Sequence, residues 1–310
     1  MRSEFDLINH IKANYTLNVI GDDCAILPKD TQSDQLFTVD LLIENIDFRL
    51  EWTTPEFLGH KALAVSLSDI AAMGGSPKYA LLSLGVPDNL WKTSFLDRFY
   101  EGWHRLATEF EVELVGGDIS RSPSGLTIDS FVVGEAARGQ AIRRSSAQAG
   151  DKMFVTGPLG GAALGLSLLE KGERFKQLDG CPGQAAILRQ LKPRPQVAFG
   201  KLLLNNALAS SAIDISDGLS SDLAHICEAS GVGAHLDAAA IPIAEGASLE
   251  MALHGGEDFE LLFTVPADRA AEAEASGAIE IGHITGDAGK VTISGAAGIE
   301  ELKPMGFQHF

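Results

Sequence analysis

Residues 211 to 222 read SAIDISDGLSSD, from Ser211 to Asp222. The apolar run around Ala212, Ile213 and Ile215 has the character of a short buried strand. From Asp217 a helical pattern takes over, with Leu219, Leu223, Ile226 and Cys227 on one face up to Gly231. A strand that passes through an Asp-Gly turn into a helix is the unit from which α/β and α+β domains are built. The same stretch poses a problem. Asp214 lies in the strand, Asp217 follows it, and carboxylates are costly to bury unless something pairs with them. Asp222, one turn on and level with two serines, reads as solvated surface.

Working outward, residues 36 to 43 read as a strand in which Thr38 and Asp40 share one face while Phe37, Val39 and Leu41 share the other. Thr53 or Thr54 can cap a helix that has Pro55 in its first turn and runs to Met73, before Gly74-Gly75. Strands are expected near 79 to 86, 112 to 116 and 126 to 134. A helix from about 91 to 110 separates the first two; its stripe of Phe95, Phe99, Trp103, Leu106 and Phe110 reads as core or subunit interface. In the second half, strands are expected near 152 to 156, 233 to 237, 259 to 265, 279 to 285 and 290 to 294, and two helices flank Lys192-Pro193-Arg194-Pro195. The Gly, Ser, Arg and Gln content of 138 to 151 marks a boundary. With 310 residues at about 150 per domain, the expectation is two domains, 1–145 and 146–310, of α/β or α+β class.

Lys and Arg total 24 against 42 Asp and Glu, a net charge of −18. Such a surface repels nucleic acid and anionic membranes, so neither is expected as a partner. Three widely spaced cysteines, Cys24, Cys181 and Cys227, fit a reduced cytoplasmic setting rather than a disulfide framework. Acids interrupt MRSEFDLINHIK where a signal peptide would be apolar, and no 18-residue apolar run follows.

Acids recur beside glycine in Gly21-Asp22-Asp23, Gly116-Gly117-Asp118, Asp214-Ile215-Ser216-Asp217-Gly218 and Gly255-Gly256-Glu257-Asp258, and Asp40 stands in its strand. Glycine admits a ligand close to the backbone and aspartate offers hard oxygen donors, a combination suited to Mg²⁺ and phosphate. Asp69 is in register with Leu58, Ala62, Val65 and Met73, on what reads as an apolar helix face; it is either a paired buried acid or a metal ligand. Two carboxylates about 4 Å apart repel by about 4 kcal/mol at an effective dielectric of 20, so converging acids call for divalent cations or raised pKa values. Familiar alternatives fail. Gly200-Lys201 is followed by Leu202 and Gly289-Lys290 by Val291, so no P-loop exists, and the protein-kinase and HExxH signatures are missing. Gly157, Gly160, Gly161 and Gly165 read as helix-on-strand packing more than a phosphate loop. The eight histidines show no metal-ligand spacing. Arg143-Arg144 is either a phosphate clamp or a solvated linker.

Taken in order, Gly21 to Ala25, Thr38-Val39-Asp40, Lys61 to Gly74, Gly116-Gly117-Asp118, Ala212 to Leu219, Gly255 to Leu261 and the ending Gly306-Phe307-Gln308-His309-Phe310 resemble the thiamine-monophosphate kinase family over about residues 5 to 310. The resemblance implies a two-domain fold shared with aminoimidazole ribonucleotide synthetase, selenophosphate synthetase and a hydrogenase maturation factor. It implies that the N-terminal sheets of a homodimer pair into a barrel, with ATP near the interface. The implied reaction moves the γ-phosphoryl of ATP onto thiamine monophosphate. Carried over by position, Asp23, Thr38, Val39, Asp40, Asp69, Asp118, Asp214 and Asp217 match magnesium ligands, with Asp40, Asp118, Asp214 and Asp217 as the catalytic set. Gly117, Asp118, Arg144 and Ser216 match ATP contacts, and Asp47, Glu257 and Pro304 fall at substrate positions.

Two of those positions depart from the family pattern: Asp47 stands where a histidine is usual, and Pro304 or Met305 where an aromatic is frequent. Two other readings stay open on the sequence, an ATP-dependent synthetase of the same superfamily and a nucleotide-binding pseudoenzyme.

Overall fold

The Thr54 hydroxyl accepts a hydrogen bond from the Phe57 amide and Pro55 opens the first turn of a helix, α1, that runs Pro55–Ala72. In this computed structural model the described residues are 8, 10–12, 14, 21–176, 181–296 and 298–307. The N-terminal stretch quoted above lies mostly outside them, as do Gln308, His309 and Phe310.

From Leu58 onward α1 is buried all round, with Asp69 half-buried. The single apolar stripe expected of it is therefore corrected: neighbours cover every face. One neighbour is α3, Phe95–Glu109, which packs so closely that a Cβ on Gly59 would lie 1.9 Å from the Phe99 carbonyl oxygen, and one on Gly102 1.9 Å from that of Glu56. The aromatic stripe of α3 is core, with Phe99, Trp103 and Leu106 buried. The helix expected over 91 to 110 begins at Phe95, because after a short α2, Asp88–Trp91, the Thr93 hydroxyl donates to the Leu90 carbonyl and accepts from the Phe95 amide.

On the other side of α1 lies a five-stranded sheet: β1 Ala25–Pro28, β2 Ser33–Ile43, β3 Ser76–Val86, β4 Glu113–Arg121 and β5 Thr127–Ala137, in the order β1-β2-β5-β3-β4. Only β3 and β4 pair in parallel. The alternation expected of β2 holds, since Leu36, Thr38 and Leu42 are buried against α1 while Val39, Leu41 and Ile43 stand 60%, 55% and 39% exposed. Leu81, Val115 and Ile119 add to the exposed apolar surface of this sheet.

The second sheet comprises β6 Lys152–Val155, β7 Ser211–Asp214, β8 Gly233–Asp237, β9 Leu261–Val265, β10 Ile279–Thr285, β11 Val291–Gly295 and β12 Gly298–Glu301, ordered β12-β11-β8-β10-β6-β9-β7. Only β8 and β11 are parallel, which makes this half α+β in character. Helices α4 Gly161–Glu170, α5 Pro182–Leu191, α6 Val197–Asn205, α7 Leu219–Ser230, α8 Leu249–His254 and α9 Ala270–Ala275 accompany it. β9 starts at Leu261 rather than 259 because Glu257 and Phe259 have φ of 67° and 50°, outside any strand. Phe154, Ala212, Leu261 and Phe263 from this sheet share one apolar cluster with Leu63 and Leu67 of α1. That shared core fixes the edge strand β7, and Asp214 at its end, against the middle of α1. Among the described residues no helix is long and apolar enough to cross a membrane.

Candidate active site

Asp214, at the end of β7, is 2% exposed, and its Oδ2 has no hydrogen-bond partner. Carboxylate oxygens of Asp23, Asp69 and Asp214 converge within 4.8 Å of one another, from the segment before β1, from α1 and from β7. Burial pushes the Asp214 carboxyl up to about 8, with the Asp23 charge adding to it. Burial likewise holds Asp69 well above the usual range, with Asp40, Asp214 and Asp23 adding. The Thr38 hydroxyl donates to Asp69, and Ser66 Oγ donates to Asp40 at 2.6 Å; burial raises Asp40 to about 6. A buried carboxylate oxygen without a partner, beside two further carboxylates, is an arrangement that a hard divalent cation satisfies. The residues present therefore fit Mg²⁺.

Asp23 is also gripped by Arg144, whose Nη2 and Nε donate to its two oxygens at 2.7 and 3.1 Å. Burial disfavours the Arg144 charge, but Asp23, with Asp214 and Asp69 beyond it, outweighs that and holds the guanidinium well above its ordinary value. The Arg144 segment is thus no solvated linker; Arg143 lies 3.6 Å from Asp22.

Asp222 requires a correction. It is 2% exposed, and its Oδ2 accepts from the amides of Asp217 at 3.2 Å and Gly218 at 3.0 Å. Burial, with the charges of Asp217 and Asp214 adding, holds its carboxyl well above the usual range. Gly218, at φ 117°, delays α7 to Leu219 and turns residue 222 back beneath the loop, which is why helix periodicity misplaced it. His225, one turn further on, has a ring nitrogen within 4.8 Å of carboxylate oxygens of both Asp217 and Asp222. That overturns the reading that no histidine stands at ligand spacing; the clue available was Asp222 and His225 at i, i+3 on one helix. Burial lowers His225 to about 4.

A cavity of about 520 Å³ opens beside these acids. Asp40, Ser216 and Asp217 line it together with Asp47, Phe48, Trp52, Glu257 and Phe307. Gly255-Gly256-Glu257-Asp258 builds its wall. A Cβ on Gly256 would lie 2.5 Å from the Ser216 carbonyl oxygen, and the Glu257 amide donates to that carbonyl at 2.8 Å. Asp258 turns away from the cavity to accept from the amides of Gly160 and Ala162, capping α4, so the glycines of 157 to 165 serve packing here. Asp47 lines the cavity while its Oδ2 accepts from the Ile43 amide at 2.7 Å. Pro304 is exposed and is absent from the lining; Met305 and Phe307 take that wall, so an aromatic ring is supplied three residues later than expected. Val39 turns its side chain outward and is 60% exposed. Gly117 and Asp118 sit on β4, exposed at the far edge of the sheet and outside the cluster of Asp23, Asp69 and Asp214.

Residues 21–136 match the AIR synthase related protein, N-terminal domain, and residues 148–294 match its C-terminal domain. Thiamine-monophosphate kinase of Bacillus subtilis (strain 168) is 40% identical over 274 residues, covering 84% of this chain and 83% of its own length. The chain belongs to the thiamine-monophosphate kinase family. The family member from Escherichia coli (strain K12) is 37% identical across 99% of this chain and 95% of its own. The structure of AaThiL complexed with AMPPCP and TMP, 36% identical, superposes with a TM-score of 0.89 over 99% of this chain and 97% of that one.

Proposed function

We propose that this chain transfers the γ-phosphoryl group of ATP to the phosphate of thiamine monophosphate, giving thiamine diphosphate and ADP. The observation that carries the reading is a single cavity whose lining combines Asp40, Ser216 and Asp217 with the rings of Phe48, Trp52 and Phe307, groups suited to a metal-bound phosphate and to an aromatic heterocycle. The relative solved with AMPPCP and TMP supports the pairing of nucleotide and acceptor.

Asp23, Thr38, Asp40, Asp69, Asp214 and Asp217 would hold Mg²⁺, with Val39 contributing backbone, and the ion would supply positive charge against the phosphates. An acceptor phosphate oxygen forms a bond to the γ-phosphorus while the bond from that phosphorus to the β,γ-bridging oxygen breaks, and ADP leaves with the electron pair. The acceptor is already anionic, so no side chain has to remove a proton. Asp40, Asp217 and their neighbours contribute by fixing geometry and charge. Ser216 and Arg144 serve the nucleotide, and Asp47 and Glu257 serve the acceptor.

The same reading divides the chain near residue 145 and makes it a cytoplasmic homodimer. Every residue of β4 is exposed, and Val39, Leu41, Val115 and Ile119 leave apolar surface uncovered. A second protomer covers that surface and meets Gly117 and Asp118 on the open edge strand, where they complete a nucleotide site that one chain leaves unfinished.

Incubation of the purified chain with ATP, Mg²⁺ and thiamine monophosphate tests the reaction. Thiamine diphosphate is the expected product; no turnover of this acceptor alongside turnover of another phosphate monoester refutes it.

A further inference from the structure

Lys61 is a charged residue that the phosphoryl-transfer scheme above leaves without a task. It lies on α1, two turns before Asp69, on the side where Leu58 and Val65 also line the cavity. Its side chain is 4% exposed, although lysine is almost never buried unless paired. The pairing is present: Nζ stands 2.7 Å from Glu257 Oε1 and donates to the Gln190 carbonyl at 3.4 Å. Gln190 Nε2 donates to the other Glu257 oxygen, so the carboxylate is held from both sides. The Glu257 amide in turn donates to the Ser216 carbonyl, which ties the ion pair to the loop carrying Ser216 and Asp217.

The charge around the cavity gives this ammonium its purpose. Asp40, Asp47, Glu170, Asp217 and Glu257 line the space, and an incoming phosphate monoester brings one or two further negative charges. Only two Lys or Arg side chains among the described residues line it. Arg49 is exposed and lies over the Trp52 ring, 4.5 Å from its centroid. Lys61 is the buried one, and an ammonium carries three donors where Glu257 and Gln190 occupy two.

We propose that Lys61 is a further binding residue of the acceptor site: its ammonium, held on Glu257 when the cavity is empty, contacts the acceptor's phosphate and supplies its positive counter-charge from the protein. This rests on the kinase reading for the identity of the acceptor. The aromatic lining sets which ring is taken, and Lys61 makes the site prefer the phosphate ester over the free alcohol.

The test compares two ligands that differ only in that phosphate. Calorimetry with Mg²⁺ and a non-hydrolysable ATP analogue measures binding of thiamine monophosphate and of thiamine to the wild type, Lys61→Gln and Lys61→Arg. Glutamine keeps a donor for Glu257 without the charge, so the fold survives, as a melting curve checks; Lys61→Arg is the second variant. A hydrogen bond to a charged group is worth about 10- to 100-fold in affinity. Lys61→Gln is expected to weaken thiamine monophosphate by about that factor while thiamine changes less than about twofold, and Lys61→Arg to recover most of the loss. Equal weakening of both ligands means that Lys61 acts only by holding Glu257, and overturns the assignment, as does no weakening of either. Wild-type protein that forms thiamine diphosphate while either of those results holds refutes the Lys61 role alone. Wild-type protein that binds thiamine monophosphate through Lys61 without forming product refutes the kinase reading alone.

Discussion

Asp214→Asn is expected to make the metal-free protein more stable and the enzyme inactive. The Asp214 carboxyl stands at about 8 in the folded chain, against 3.8 as its ordinary value, because it is buried beside Asp23 with Oδ2 unpartnered. A raised carboxyl binds its proton more tightly folded than unfolded, so its favourable contribution is complete below pH 3.8 and is lost as pH rises towards about 8. Each pH unit in that window costs about 1.4 kcal/mol, so at pH 7 the loss reaches at most about 4 kcal/mol. Asparagine carries no such penalty. For a chain of this length about 4 kcal/mol corresponds to a rise in Tm of about 5 °C. In a chelator at pH 7 the variant should therefore melt above the wild type, with the gap nearly closed at pH 4.5. Added Mg²⁺ should raise the wild-type Tm and leave the variant almost unmoved, and turnover should vanish. A variant that melts at or below the wild type in chelator, or a gap that does not shrink at low pH, refutes the account of Asp214 as a carboxyl held above its ordinary value by burial beside Asp23.

Other expectations follow from the same geometry. Asp222→Ala strips the acceptor from the buried amides of Asp217 and Gly218 and should cost about 2–4 kcal/mol in a denaturant melt and at least tenfold in kcat, whereas a solvated Asp222 would leave both unchanged. Mg²⁺ binding at pH 7 should release protons, read by calorimetry in buffers of different ionisation enthalpy, and the release should fade above pH 9, where Asp214 at about 8 has already ionised. On the proposed homodimer, Leu41→Glu places a charge on the exposed apolar face of the first sheet and should shift the protein from dimer to monomer in sedimentation velocity, with loss of turnover as the proposed role of Asp118 is removed.

What the amino-acid order determined by itself is what depends on near neighbours. The period-two face of β2, the Thr54 cap with Pro55, the aromatic stripe of α3 and the αL stop at Gly231 each follow from a few residues' steric and hydrogen-bonding preferences. Glycine beside aspartate announced phosphate and metal chemistry in the same local way. Tertiary structure decided the rest, because burial and electrostatic coupling depend on residues far apart in the chain. Asp222, read from the sequence as surface beside two serines, is buried because its carboxylate reaches back to the Asp217 and Gly218 amides at the start of the helix, and His225 joins it there. Phe307 reaches the cavity because the amides of Met305, Gly306 and Phe307 donate to the Ser220 and Ser221 hydroxyls and the Asp217 carbonyl. Asp23, Asp69 and Asp214, far apart in sequence, bring their carboxylate oxygens within 4.8 Å of one another because one shared core brings the segment before β1, α1 and β7 together. A carboxylate's proton affinity follows the charges and dielectric within a few ångströms of it, and those are set by the fold.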